Sequence, residues 1–274
     1  MYILGISCFY HDSSATLMKD GKVIAAALEE RFTRKKHDNS FPINAINYCL
    51  KERNIKINDI NYLGFYEKPI LKFERIIYQH LHSFPKSYFN FIKNMPLFLS
   101  KKLNVRKLIK KELKYKGKII FIEHHLAHAA SAFLPSTFKE AAILTIDGVG
   151  EWTTTSYGLG RKNEINMIKE IHFPHSIGLL YSTITSYLGF EVNDGEYKVM
   201  GLSAYGDKNK KTNKYYEVLK KLIDLKEDGS FCLNQTYFSY MYKDKMFSKK
   251  LTKLIEVPPR KYKDKLKKEH KNLA

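Results

Sequence analysis

A chain of 274 residues and 32.1 kDa is too long for a peptide module and suits one large or two small domains. With 44% hydrophobic and 14% aromatic residues it can bury a sizeable core, which excludes disorder throughout. Its 47 Lys and Arg against 28 Asp and Glu leave a net charge of +19, which brings nucleic acid forward as a partner to be weighed.

In chain order, residues 2–8 read as a buried strand. Ala15–Lys19 and Lys22–Glu29 flank Asp20-Gly21, and Asp-Gly between apolar runs marks a tight hairpin. Pro42 opens a helical pattern with Ile43, Ile46 and Leu50 on one side. Ile60–Tyr66 is a further strand, which completes an α/β unit. Residues 69–116 are helical by pattern, basic and aromatic, and read as an insertion. Ile119–Ile122 is a short strand and His124–Phe133 a helix of small residues. Ala141–Ile146 is a buried strand ending at Asp147-Gly148, with strands expected near Thr153–Leu159 and Glu164–His172. Ser176–Leu188 and Tyr197–Tyr205 read as helices. After Asp207 the periodicity weakens and lysine dominates, so residues 260–274 are expected to form a frayed basic tail.

The charge is uneven. Residues 1–67 carry net +1, residues 68–118 net +12, residues 119–206 net −4 and residues 207–274 net +10. The middle stretch, which holds the most unusual motifs, is mildly acidic. The excess lies in runs such as Lys101-Lys102-Leu103-Asn104-Val105-Arg106-Lys107, where solvated helix faces are favoured over a nucleic-acid surface. No run of about 18 apolar residues occurs, so no membrane span and no membrane partner are expected. The start, Met1 to Cys8, lacks a basic leader, and Cys8, Cys49 and Cys232 form no disulfide framework. A reduced, cytoplasmic protein is the expectation.

Four segments carry chemistry. The first is Glu123-His124-His125-Leu126-Ala127-His128 with small residues behind it. On a helix, His124 and His128 share a face four residues apart, and His125 and His128 could do so three apart. Asp147, at the carboxyl end of an apolar strand, is a natural third ligand. Two His and one carboxylate with open positions suit iron(II), with zinc or manganese as alternatives. The second is Asp147-Gly148-Val149-Gly150-Glu151, whose backbone N–H groups could hold phosphate, although a lone Asp-Gly-x-Gly is most often a plain turn. The third is the turn His11-Asp12-Ser13-Ser14, where short polar residues can face a phosphate and His11 can act as a base. The fourth is Gly195-Glu196-Tyr197-Lys198. An early helix carboxylate can bind ribose and the lysine phosphate, unless both simply serve the helix terminus.

Together, Gly5-Ile6-Ser7 with His11 to Ala15, Leu28 to His37, Glu123 to Phe133, Asp147 to Glu151 and Lys198 to Gly206 resemble the carbamoyltransferases of the NodU/CmcH type. The resemblance implies an α/β chain with an actin/Hsp70-like ATPase (ribonuclease H-like) fold and kinship with the tRNA threonylcarbamoyl-transfer enzymes. It implies a first lobe over residues 1–206 with a basic helical insertion at about 68–118, then a Lys-rich extension over 207–274. The second lobe would be incomplete or missing. In such enzymes carbamoyl phosphate and ATP give carbamoyl-adenylate on a separate domain, and the lobe resembled here moves the carbamoyl group to an acceptor hydroxyl. Carried over by position, His124, His128 and Asp147 are the metal ligands and His125 a neighbour. His11 is the candidate for the catalytic base or a transition-state donor, and Asp12, Gly148, Gly150, Glu196 and Lys198 line the nucleotide. Implied partners are a small-molecule or sugar hydroxyl and a second chain that supplies the remaining half and the adenylate-forming domain. Two other readings stand beside this one. One is a tRNA-modifying relative, drawn from the basic segments. The other is a non-catalytic metal- and nucleotide-binding subunit or remnant.

Overall fold

The computed structural model describes residues 1–97, 99–100 and 103–274. Lys101 and Lys102, the first lysines of the basic run, lie outside the described residues. Two compact units emerge, Met1–Glu74 with Lys93–Ser131, and Arg75–Ile92 with Ala132–Ala274. The boundary expected at residue 206 falls inside the second of them.

In the first unit, β1 (Tyr2–Ser7), β2 (Ser14–Lys19) and β3 (Lys22–Leu28) form an antiparallel meander. Asp20 and Gly21 both have positive φ, 48° and 79°, the geometry a two-residue hairpin needs to match strand twist. A short helix α1 (Glu30–Thr33) follows, then α2 (Ile43–Lys51). Glu29, 1% exposed, accepts the N–H groups of Asn44 and Ala45 at 3.2 and 2.8 Å. It thereby satisfies the first turn of α2, whose N-cap is Pro42. Ala45, Ile46 and Cys49 bury the inner face of α2 completely. That helix is the crossover that lets β4 (Tyr62–Phe65) lie parallel to β1. Between β4 and the next strand run α3 (Pro69–Ser83), α4 (Tyr88–Leu97) and α5 (Val105–Leu113), as expected of the insertion. Val105, Ile109 and Leu113, four apart, turn the inner stripe of α5 to the core. Then β5 (Lys118–Phe121) pairs parallel with β4, giving the strand order β3-β2-β1-β4-β5. The result is a mixed α/β unit, the fold class the motifs imply. Leu4, Leu17, Leu63 and Phe65 at its centre are 0% exposed, each contributing about 1.5–3 kcal/mol by burial. Helix α6 (His124–Phe133) follows directly.

In the second unit, β6 (Glu140–Ile146), β7 (Thr153–Arg161) and β8 (Glu164–His172) form a three-stranded antiparallel sheet. Its inner face buries Ile143 and Thr145, while Leu144, Ile146, Tyr157 and Leu159 stay exposed on the other. Helix α7 (Ile177–Tyr187) begins at Ser176, whose Oγ accepts the Leu179 N–H at 3.0 Å. After it come α8 (Glu196–Ser203), α9 (Lys214–Lys220), β9 (Ile223–Leu225), β10 (Phe231–Leu233), α10 (Lys249–Ile255) and α11 (Lys268–Leu273).

The basic end of the chain corrects the sequence reading. Residues 260–274 are not a frayed tail. In α11, His270 is 4% and Leu273 2% exposed. Asn272 accepts the Asp207 N–H through its Oδ1 and the Asn213 Nδ2–H through its carbonyl, both at 2.9 Å. Leu222, Phe238, Leu251 and Ile255 build the core to which this segment belongs. The lysines point outward and mask that apolar pattern in the sequence. Among the described residues, no helix is long and apolar enough to cross a membrane.

Candidate metal centre and its surroundings

Within the first unit, α6 presents its histidines unequally. His125 is buried, 3% exposed. His124 and His128, one helical turn apart, bring their Nε2 atoms within 3.0 Å of each other, rings at 85°. Of the two pairings the spacing left open, this is the one whose nitrogens converge. Two ligands at about 2.1 Å from one ion, at about a right angle, would stand about 3.0 Å apart, so the pair fits a shared cation in distance and donor type. Tyr66, at the end of β4, sets its ring edge-on to His124 with centroids 5.5 Å apart. Sequence reading gave Tyr66 no role, since nothing in its local pattern connects it to a helix nearly sixty residues on.

Also in the first unit, the turn after β1 places His11 and Asp12 side by side, with Asp12 at φ 49°. Asp12 takes one imidazole on each oxygen: His11 Nδ1 at 2.9 Å on Oδ2 and His37 Nδ1 at 2.9 Å on Oδ1. Burial alone would raise the Asp12 carboxyl, but the hydrogen bonds and charges of His37 and His11 outweigh it and hold the group below its ordinary range. Glu30 accepts the backbone N–H of His37 at 3.0 Å, which fixes the loop. The bonding of His37 to Asp12 was not read from the sequence, because the two stand 25 positions apart.

In the second unit, Asp147 stands at the carboxyl end of β6, as expected. Two of the N–H groups after it have acceptors within the turn. Gly148 donates to Asp147 Oδ1 at 2.6 Å and Gly150 donates to the Thr153 carbonyl at 3.0 Å. Ser176 then locks the turn to α7: its hydroxyl lies 3.0 Å from the Asp147 carbonyl and 2.7 Å from that of Gly148. Gly178, in the first turn of α7, lies so close that a Cβ there would meet the Asp147 oxygen at 2.5 Å.

At α8, Glu196 accepts from the Ser182 hydroxyl at 2.9 Å and the Asn193 N–H at 3.0 Å. Lys198 Nζ is 3.5 Å from Asp194, one turn back. Both side chains therefore serve the helix terminus as well as whatever they face.

A family profile described as Carbamoyltransferase N-terminus matches residues 2–274. An uncharacterised protein of Synechocystis sp. is 50% identical over 268 residues, covering 94% of this chain and 43% of that protein. The nodulation protein NolNO of Sinorhizobium fredii is 34% identical over 229 residues, covering 81% of this chain and 31% of that protein. The chain thus spans less than half the length of these relatives. Among solved structures, YeaZ from Pseudomonas aeruginosa is similar at 12% identity and a TM-score of 0.36, over 63% of this chain and 66% of that one. The Ppx/GppA family member of Aquifex aeolicus is similar at 15% and 0.33, over 76% and 63%.

Proposed function

Because this chain belongs to the Carbamoyltransferase N-terminus family, we propose that it carries the metal-binding and acceptor-activating part of a transfer of a carbamoyl group from carbamoyl-adenylate to a hydroxyl of a small molecule or sugar. The observation that carries this reading is the convergence of His124 and His128 Nε2 at 3.0 Å. In this reading Asp147 adds the third ligand. A divalent cation held there, iron(II) or else zinc or manganese, would draw charge from the adenylate phosphate and make AMP a better leaving group. His11 supports the rest of the chemistry. Its Nδ1 is bonded to Asp12, which leaves Nε2 as the basic nitrogen. It takes the acceptor's hydroxyl proton as that oxygen attacks the carbamoyl carbon, and the bond to the phosphate oxygen breaks. Asp12 holds the ring and balances the imidazolium that forms. Lys198 and Glu196 line the nucleotide, and Gly148 and Gly150 do so through their lack of side chains.

The remaining parts of the reaction are assigned to polypeptide corresponding to the rest of the longer relatives, which would contribute the adenylate-forming step. The exposed Leu144, Ile146, Tyr157 and Leu159 on the outer face of the β6-β7-β8 sheet support such a partner surface. The test has two readouts. The chain should bind iron(II), and His128→Ala should lose that metal while remaining folded. With the polypeptide matching the remainder of a relative, ATP, carbamoyl phosphate and a hydroxyl acceptor, AMP should appear in step with carbamoylated product, and His11→Ala should stop transfer while keeping the metal. Unchanged metal content in His128→Ala would overturn the assignment.

A further inference from the structure

The second unit contains a cavity of about 510 Å³ that the proposed reaction leaves unused. Its walls are aromatic. Tyr78 and Phe84, from α3 and the turn after it, face the cavity together with Trp152, from the β6–β7 connection, and Tyr242. These are not core residues: Tyr78 is 51% and Phe84 61% exposed. Tyr78 meets Trp152 edge to face with centroids 5.3 Å apart, and stacks on His82 with ring planes 8° apart. Flat faces held open in this way favour a flat or ring-shaped ligand.

The cationic group of the lining is Lys86, while the Nε2 of His172 is 3.0 Å from the Glu170 carboxylate. Lys86, His82 and His172 line the cavity, and no Asp or Glu is among its lining residues. Lys86 Nζ sits 5.6 Å from the Tyr242 ring centroid. Its ammonium is thereby set against an aromatic face, where it can meet a ligand's anionic group. The Arg75 guanidinium lies 5.0 Å from the ring centroid of Phe173, another lining residue. At the wall, Gln235 donates through Nε2 to the Pro174 carbonyl at 3.3 Å and the Tyr240 hydroxyl at 3.4 Å. Its Oε1 is buried with no hydrogen-bond partner among the described residues. An acceptor left that way is suited to a ligand's O–H or N–H.

We propose that this cavity is a binding site for a ring-bearing organic anion, whose ring lies against Tyr78 and Trp152, whose charge meets Lys86 and His82, and whose donor group reaches Gln235. The inference stands apart from the carbamoyl-transfer reading, since it uses none of His11, His124, His128 or Asp147.

Trp152 is the single tryptophan of the chain, so its indole gives one amide-type resonance and one fluorescence source, both inside the cavity. The uniformly labelled chain is titrated with naphthoate, aminomethylnaphthalene and cyclohexanecarboxylate. Naphthoate should shift the Trp152 indole resonance saturably, the cationic naphthalene should bind far more weakly, and the non-aromatic acid should not bind. Lys86→Gln and Tyr78→Ala should each weaken naphthoate binding about fivefold or more, whereas Lys220→Gln, at an exposed lysine paired with Glu217, should leave it unchanged. The remaining resonances report that each variant is folded. Three results would each overturn the proposal: no saturable shift at millimolar naphthoate, equal binding of the cationic and anionic naphthalenes, or a folded Lys86→Gln chain that binds naphthoate as the parent does.

Discussion

Gly178→Ala is the sharpest test of how α7 supports Asp147. A Cβ at Gly178 would stand 2.5 Å from the Asp147 carbonyl oxygen, 2.6 Å from its carbon and 2.7 Å from the Gly148 nitrogen. Ordinary contact begins near 3.4 Å, so the oxygen must retreat by about 0.9 Å, the difference between 3.4 and 2.5 Å. All three atoms are backbone, and Ser176 bonds the carbonyls of Asp147 and Gly148 from the same helix start. No flexible side chain can absorb the strain, so either α7 or the β6–β7 turn must shift. Overpacking of this kind costs about 1–3 kcal/mol. If Asp147 is the third metal ligand proposed above, then, because it moves with its own carbonyl, metal affinity should also fall, by about 10–100-fold as for lost support of a ligand. Gly201→Ala is the matched control. Gly201 lies inside α8 with nothing within 4 Å of its added Cβ, so the exchange should stabilise the chain by about 0.5–1 kcal/mol. Urea unfolding and an iron(II) titration of both variants decide the matter. A Gly178→Ala chain as stable as the parent and with its full metal affinity would refute the reasoning.

Other expectations follow from single contacts. Ser176→Ala removes the N-cap of α7, worth about 1 kcal/mol, and takes the hydroxyl from the carbonyls of a half-buried turn, costing about 1 kcal/mol more, so its unfolding midpoint should drop below that of Ser203→Ala, at a half-buried serine that caps no helix. His124→Ala should abolish metal retention on gel filtration as fully as His128→Ala, whereas an equal loss in His125→Gln would point to a different pairing. The Asp12 carboxyl is held low in the folded chain, so the stability it contributes is complete above the unfolded carboxylate range near 3.9 and fades as pH falls through the lower folded value. Acid unfolding followed by circular dichroism should therefore be shallower for Asp12→Asn than for the parent, and identical curves would argue against the His11–Asp12–His37 bonding. If the basic segments serve RNA, tRNA binding must weaken steeply with salt, and weak, salt-insensitive binding would leave those lysines as solvated helix faces.

Most regular elements were legible before any coordinates. The Asp20-Gly21 hairpin, the helix after Pro42, α6 from His124 to Phe133 and the helix opening at Ser176 were each placed by a local pattern. Legibility failed where the local pattern was diluted. Beyond Asp207, lysines on outward faces obscured the spacing of Leu222, Phe231, Leu251 and Leu273, so a docked end looked like a tail. It failed again where neighbours in space are distant in the chain. Residues 75–92 group with the second unit although they sit in sequence between two strands of the first.

The sequence by itself determined that three imidazoles lie on one short helix and that an aspartate ends β6, because helical and strand periods are properties of a few consecutive residues, and the order of its motifs showed which family it resembles; which two imidazoles converge was left to the structure. Only the tertiary structure decided that Asp12 is shared by His11 and His37, that the Gly148 and Gly150 N–H groups have acceptors within their own turn, and that aromatic rings from α3 and the β6–β7 connection line one cavity. Those outcomes depend on which of several competing partners packing brings nearest, and no local preference encodes that choice.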